Sequence, residues 1–331
     1  MGNKATPPRS FNTIRHSQTK ERAQRQRTQR VVLLSIFVIL GVMVISLLVL
    51  GVLSIANAII DSLPEETTTE APNETNDPAQ ILYQQITKTS ADINSGVLLM
   101  VNQNLEYHFP SISLIKIYDQ RSKVNGTNIY QLASTDYKLQ ADAFDAFDAM
   151  MLKYYELTED NSIKVSSAYR TLDDQANLPG TDIEPGHSDH HTGYCVALKY
   201  NDGTDLEPSH WIFENCHKYG FVIRYPEHKS DKTGVTEYTH CLRYVGVAHA
   251  TYMQKNDLCL EEYVELLKTS YSSGNHLTVS ALDGNSYEIY YVPASSGDLT
   301  TFNVPSNYSY TVSGDNHNGF IVTVNLSAPN A

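Results

Sequence analysis

Residues 31–60 form a run of thirty without a single Asp, Glu, Lys or Arg, and that run limits the possible folds more than any other feature of the chain. As a helix it would rise about 45 Å at ~1.5 Å per residue, against ~30 Å for the hydrocarbon core of a bilayer. One membrane span is therefore expected within residues 31–56. A cleaved leader would have an apolar core of only about 7–15 residues. Residues 1–30 carry eight Lys or Arg against one acid, Glu21, while the whole chain stands at −13, which leaves −20 for the remainder. Positive charge before the span and not after it predicts a cytoplasmic N-terminus and an extracytoplasmic chain from Asp61 onward. The basic tail is too short and too close to the membrane to indicate a nucleic-acid partner.

Residues 62–78 (SLPEETTTEAPNETNDP) are rich in Thr, Glu and Pro, and so few apolar side chains cannot offset the entropy of ordering the segment. Residues 57–79 are expected to be a linker. The rest, about 250 residues, is long enough for one packed domain and a small appendage, which we place at residues 80–272 and 273–331. Residues 80–93 predict a short helix and residues 96–101 a buried strand. Phe144, Phe147, Met151 and Tyr154 recur at helical spacing in 138–157, which predicts a helix with one face on a core. Residues 162–169 read as a strand leading to Arg170. Ser209 is the expected N-cap of a helix carrying Trp211 as its core anchor, with Ile212, Cys216 and Tyr219, and Gly220 closes it. Residues 244–254 and 258–268 predict two further helices, the second capped by Asp257. From His276 the alternation around Asp-Gly and Asn-Gly turns predicts a β module of about four strands. Strands and helices without regular alternation indicate an α+β fold, a small antiparallel sheet with flanking helices.

Four blocks carry more specific information. They are Ser167-Ala-Tyr-Arg170-Thr, Ser188-Asp-His190-His-Thr-Gly193-Tyr-Cys195-Val-Ala197, Trp211 to Pro226 with its Tyr219-Gly-Phe-Val-Ile-Arg224-Tyr run, and Arg243-Tyr-Val-Gly246. In order and spacing, over residues 96–267, they resemble the zinc D-alanyl-D-alanine carboxypeptidases of the VanY type. The resemblance implies that family's fold, a zinc cofactor and action on peptidoglycan stem peptides. In that family a His and an Asp of the second block and a His of the fourth bind zinc, and a Glu of the fourth is the general base. Three protein ligands with one position left for water is the usual arrangement of a catalytic zinc.

Carried onto this chain, the first ligand is His190 and the second falls on Ala197, which has no donor atom. Counting without gaps puts Tyr238 at the base position and Cys241 at the third ligand. A one-residue bulge would instead put Glu237 and His240 there. Arg170 and Ser188 match positions that grip the terminal carboxylate of the stem peptide, a task suited to a guanidinium fork. A structural ion pair is the other reading of Arg170. Gln175 matches a Gln frequent just after that arginine, and only ten residues separate it from Gly186, which shortens the cleft wall.

Cys195 and Ala197 share a strand face, so Cys195 would meet Cys241 beside His190. The two could be a disulfide, two thiolates of a closed zinc site, or two small buried residues. His187, Asp189 and His191 flank His190 as alternative ligands, although a neighbour in an extended segment faces away, and His210, His217, His228 and His249 read as packing or surface residues. The resulting expectation is a membrane-anchored, extracytoplasmic protein acting at stem peptides or on a cell-wall protein, as a catalytically degenerate binding or regulatory homologue. A zinc D,D-carboxypeptidase with remodelled ligands and a structural cell-wall module are the alternatives.

Overall fold

The helix expected over residues 138–157 is the spine of the domain. In the computed structural model, which describes residues 80–235, 240–272 and 274–330, α1 (Ala141–Thr158) buries Phe144, Phe147, Met151 and Tyr154 along one face. It ends at Glu159, in the left-handed region at φ 56°. The basic tail, the apolar run and the linker lie outside the described residues, as do Glu237 and Tyr238. Among the described residues no helix is long and apolar enough to cross a membrane.

The chain begins with β1 (Tyr83–Thr89) rather than the expected helix, which is confined to a single 3-10 turn, Ser90–Asn94. Residues 96–101 are buried at Leu98, Leu99 and Val101 but form no strand. A five-stranded sheet follows, built from β2 (Gln131–Leu132), β3 (Ile163–Ser167), β4 (Cys195–Tyr200), β5 (Phe221–Ile223) and β6 (Cys241–Tyr244) in the order β2-β3-β4-β6-β5. Its pairs are antiparallel except β2 with β3. α1 packs on one face, where Phe147, Met150, Val165, Val196, Leu198 and Leu242 share a core. Burying about this much apolar side chain, at ~25 cal/mol per Å² removed from water, is the main term holding helix to sheet.

The helix at Trp211–Asn215 is capped by His210, whose ring accepts from the Ile212 N–H, so the expected Ser209 cap is corrected by one residue. Its anchors are Ile212 and Phe213, while Trp211 is only half-buried. Gly220 closes the turn at φ 81° as expected. A Cβ there would stand 3.0 Å from the backbone of Gly246 and Val247, so the tight packing of β5 on the next helix requires glycine. Two longer helices follow, Val247–Lys255 and Leu260–Ser270. The second is capped by Cys259, its backbone N–H donating to Glu262, whereas Asp257 sits outside and pairs with His228 and Lys229.

The C-terminal residues form a four-stranded antiparallel sheet of Leu277–Ser280, Ser286–Pro293, Gly319–Pro329 and Tyr308–Gly314 in that spatial order. A fifth strand, Leu299–Pro305, leaves it and pairs with β1, from Tyr83 opposite Pro305 to Thr89 opposite Leu299. The sheet shares a core with the two preceding helices through Leu260, Tyr263, Leu277, Ile289 and Ile321. Inside that contact His249 accepts or donates at both ring nitrogens, to Tyr263 Oη at 2.7 Å and Thr323 Oγ1 at 3.0 Å.

Candidate functional site

β3 delivers Arg170 three residues past its end. The guanidinium is held by two neutral acceptors, Nε to Ser167 Oγ at 2.9 Å and Nη1 to Gln175 Oε1 at 2.8 Å. Gln175 stands on the short helix Leu172–Ala176, started by a capping box between Thr171 and Asp174. Its amide also donates to the Ile183 carbonyl at 2.9 Å, which fixes the loop after this helix. That loop walls a cleft of about 340 Å³ lined by Arg170, Ile183, Ser188, His190, Ala197 and Tyr225, among others. Gln175 itself, 2% exposed, supports Arg170 and does not line the cleft. The short wall expected from the spacing between Gln175 and Gly186 is this loop.

A 3-10 turn, Asp189–Thr192, presents His190 to the cleft floor, and Gly193 at φ 73° turns the chain into β4. His190 Nδ1 donates to the Ala168 carbonyl at 2.7 Å, since a carbonyl can only accept. Its Nε2 then faces Cys241 Sγ at 3.7 Å. The β6–β4 register places Cys241 directly opposite Ala197, and Arg243 opposite Cys195. All four side chains therefore start on one face of the sheet. His240 turns to the other side, at φ 48°, with Nε2 3.7 Å from Asp205 and its ring stacked on Phe213.

The cysteines are free thiols. A hydrogen bond from Cys195 holds the Cys241 thiol well below its ordinary pKa against the opposing effect of burial, and His190 adds to the lowering. Burial, and the hydrogen bond to Cys241, push Cys195 far upward.

Beneath the turn lies a feature that sequence reasoning did not find. Asp189 is fully buried, and its two carboxylate oxygens accept separately from Arg224 Nε and Arg243 Nη1, both of these side chains also fully buried. Arg224 reaches on to Glu261 in a bidentate pair at 2.6 and 3.0 Å. Burial disfavours the Arg224 charge, but Glu261 and Asp189 outweigh it and hold the guanidinium above its usual pKa. The remaining guanidinium donors satisfy the carbonyls of Val97, Leu99 and Val101 at 2.9–3.2 Å. That is why residues 96–101 are buried without being a strand: their acceptors are paired with side chains, not with a sheet neighbour. The available signal was that Asp189, Arg224 and Arg243 all fall within the motif blocks. His191 is likewise structural, Nδ1 donating to the Arg170 carbonyl and Nε2 accepting from the Gly186 N–H. His187 bonds the Asn102 carbonyl.

The donors around His190 do not match a zinc site of the usual kind. The three positions that should supply ligands hold one imidazole, one thiol and the methyl of Ala197. Among the described residues no three His, Cys, Asp or Glu are grouped so as to hold a metal ion.

Comparison with known proteins identifies the family and the fold. A family model described as VanY, D-alanyl-D-alanine carboxypeptidase, matches residues 136–247. A D-alanyl-D-alanine carboxypeptidase of Enterococcus faecium is 31% identical over 252 residues, covering 73% of this chain and 79% of that protein. Among solved structures, the vancomycin-resistance D,D-dipeptidase VanXYg in complex with a D-Ala-D-Ala phosphinate analogue superimposes with a TM-score of 0.63. It is 26% identical, covering 74% of this chain and 99% of the other. A D,D-pentapeptidase VanY from a VanB-type resistance cassette, in complex with Zn(II), is 23% identical with a TM-score of 0.40, covering 51% of this chain and 98% of the other.

Proposed function

Because the chain belongs to the VanY-type D-alanyl-D-alanine carboxypeptidase family, we propose that its cleft receives the carboxylate end of a peptidoglycan stem peptide. It does so as a binding or regulatory member that lacks the metal-hydroxide chemistry of its relatives. The observation that supports this reading is Arg170. Its guanidinium lines the cleft and is oriented by Ser167 and Gln175, yet it makes no ion pair with a carboxylate among the described residues. A cation positioned by neutral partners has its charge free for an anionic ligand, and a fork of N–H donors suits a terminal carboxylate. Ser188 and Tyr225 stand beside it in the same cleft. The D-Ala-D-Ala phosphinate analogue bound by VanXYg is a ligand of the same chemistry.

Calorimetry with a peptide ending in D-Ala-D-Ala tests the reading. A charge-assisted hydrogen bond contributes about 1.5–3 kcal/mol, so Arg170→Ala is expected to weaken binding by about tenfold to a hundredfold. Amidation of the peptide's C-terminus should cost a similar factor. Equal affinity for the free acid and the amide would sink the proposal.

We also propose that residues 31–56 anchor the chain in the cell membrane with the N-terminus inside, on the charge contrast across that run. Protease added to intact, wall-stripped cells is then expected to remove the residues beyond Asp61 and spare the basic tail. Full protection of the large domain would reverse the topology.

A further inference from the structure

We propose that Cys241 and His190 form a nucleophile–base pair that takes the acyl group of a peptide bound in this cleft, a metal-independent route on a fold built for zinc chemistry. The inference rests on the cleft being the stem-peptide site, and it adds thiol-based turnover to the binding role proposed for that cleft.

Three observations carry it. Cys241 Sγ and His190 Nε2 are 3.7 Å apart, a sulfur–nitrogen hydrogen-bond distance. The other ring nitrogen is held by the Ala168 carbonyl at 2.7 Å, which fixes the tautomer whose Nε2 lone pair faces the thiol. Nucleophile, base and a third group orienting the base are the arrangement that activates a thiol for acyl transfer. Finally, Cys241 pairs across the sheet with Ala197. Ala197 and His190 both line the cleft with Arg170, and a methyl at position 197 leaves free the space that a metal-binding carboxylate would fill. A peptide gripped by its carboxylate at Arg170 therefore brings its last amide to the side of the cleft where His190 and Cys241 meet.

The step balances without a metal or a redox partner. The thiol proton passes to Nε2, and Sγ attacks the carbonyl carbon, pushing the carbonyl π electrons onto oxygen. Collapse breaks the C–N bond, and the departing amine takes the proton from Nε2, leaving a thioester on Cys241. Water then attacks the thioester, its proton going to Nε2. The Sγ–C bond breaks, the thiol regains a proton, and the products are a shortened acid and a free amino acid.

The test uses the full-length protein in detergent with a depsipeptide ending in D-alanyl-D-lactate, whose ester acylates a thiol faster than an amide does. Intact-mass spectrometry after acid quench, in the presence of a zinc chelator, is expected to find an acyl adduct labile to hydroxylamine and located on Cys241. Cys241→Ser, which preserves shape, should abolish the adduct. His190→Ala should slow its formation by about 10²–10⁴, the usual contribution of a general base. Cys216→Ser, a buried cysteine bonded to the Phe213 carbonyl away from the cleft, should leave it unchanged. Cys241 is only 1% exposed without ligand, so access is tested separately: native iodoacetamide should modify Cys241 before Cys216 or Cys259. If calorimetry shows peptide binding but neither adduct nor preferential alkylation appears, the pair is overturned while the cleft assignment stands. If the peptide does not bind at all, both fall together.

Discussion

Ala197→Asp combined with Cys241→His is expected to raise the zinc content of the purified protein from well below one ion per chain to one. Positions 197 and 241 are direct partners across β4 and β6, and the side chain at 241 already approaches His190 Nε2 to 3.7 Å. The two substitutions would thus complete an imidazole–carboxylate–imidazole set on one face of the sheet, with the three ligands a catalytic zinc requires. His190 needs no adjustment, because the Ala168 carbonyl already holds its ring as a metal-ligating histidine is held. Cys241→His alone leaves the set without its carboxylate and should bind zinc weakly, whereas Ala197→Asp alone gives a mixed imidazole–carboxylate–thiolate set and should bind with intermediate affinity. Elemental analysis after dialysis against dilute zinc reads the result directly. Stoichiometric zinc in the unaltered chain, or no gain in the double variant, would show that the donor count misjudges this site.

Asp189→Asn is expected to be the most destabilising conservative substitution in the domain. The asparagine fits the space, but it removes the one negative charge standing between the two fully buried guanidiniums of Arg224 and Arg243. Arg224 would retain Glu261, whereas Arg243 has no other carboxylate partner among the described residues. Removing one member of a buried ion pair costs about 3–5 kcal/mol because a buried charge is left uncompensated. For a domain of this size that corresponds to a fall of roughly 10 °C in Tm. The loss should also loosen the turn bearing His190, so peptide affinity should drop with stability. A melting shift of under ~2 °C would mean that water or a rearranged side chain replaces the carboxylate.

α1 was readable because Phe144, Phe147, Met151 and Tyr154 return to one face every three or four residues, and that periodicity acts within the helix itself. Gly220 was readable for a similar reason, since a left-handed closing residue is a local backbone requirement. The caps were less legible. His210 and Cys259 displace Ser209 and Asp257 because where each helix starts depends on how it docks, not on which nearby side chain caps best. β1 was misread as a helix because its partner strand, Leu299–Pro305, lies more than two hundred residues further along the chain.

The candidate site divides along the same line. The motif blocks pointed to Arg170, Ser188, His190, Ala197 and Cys241, and the folded chain gathers all of them at one cleft or immediately beneath it. Residue counting left Cys241 and His240 as alternatives for the face toward His190, and the strand register turns Cys241 to that face and His240 away from it, since a shift of one residue reverses every side chain in a strand. The Asp189–Arg224–Arg243–Glu261 network was invisible beforehand, although every member could be read in the sequence. What the sequence determined by itself was the set of elements whose causes lie within a few residues, together with the family. What only the tertiary structure decided was which strand faces which and how the buried charges are paired, because those energies arise between groups that the chain brings together from far apart.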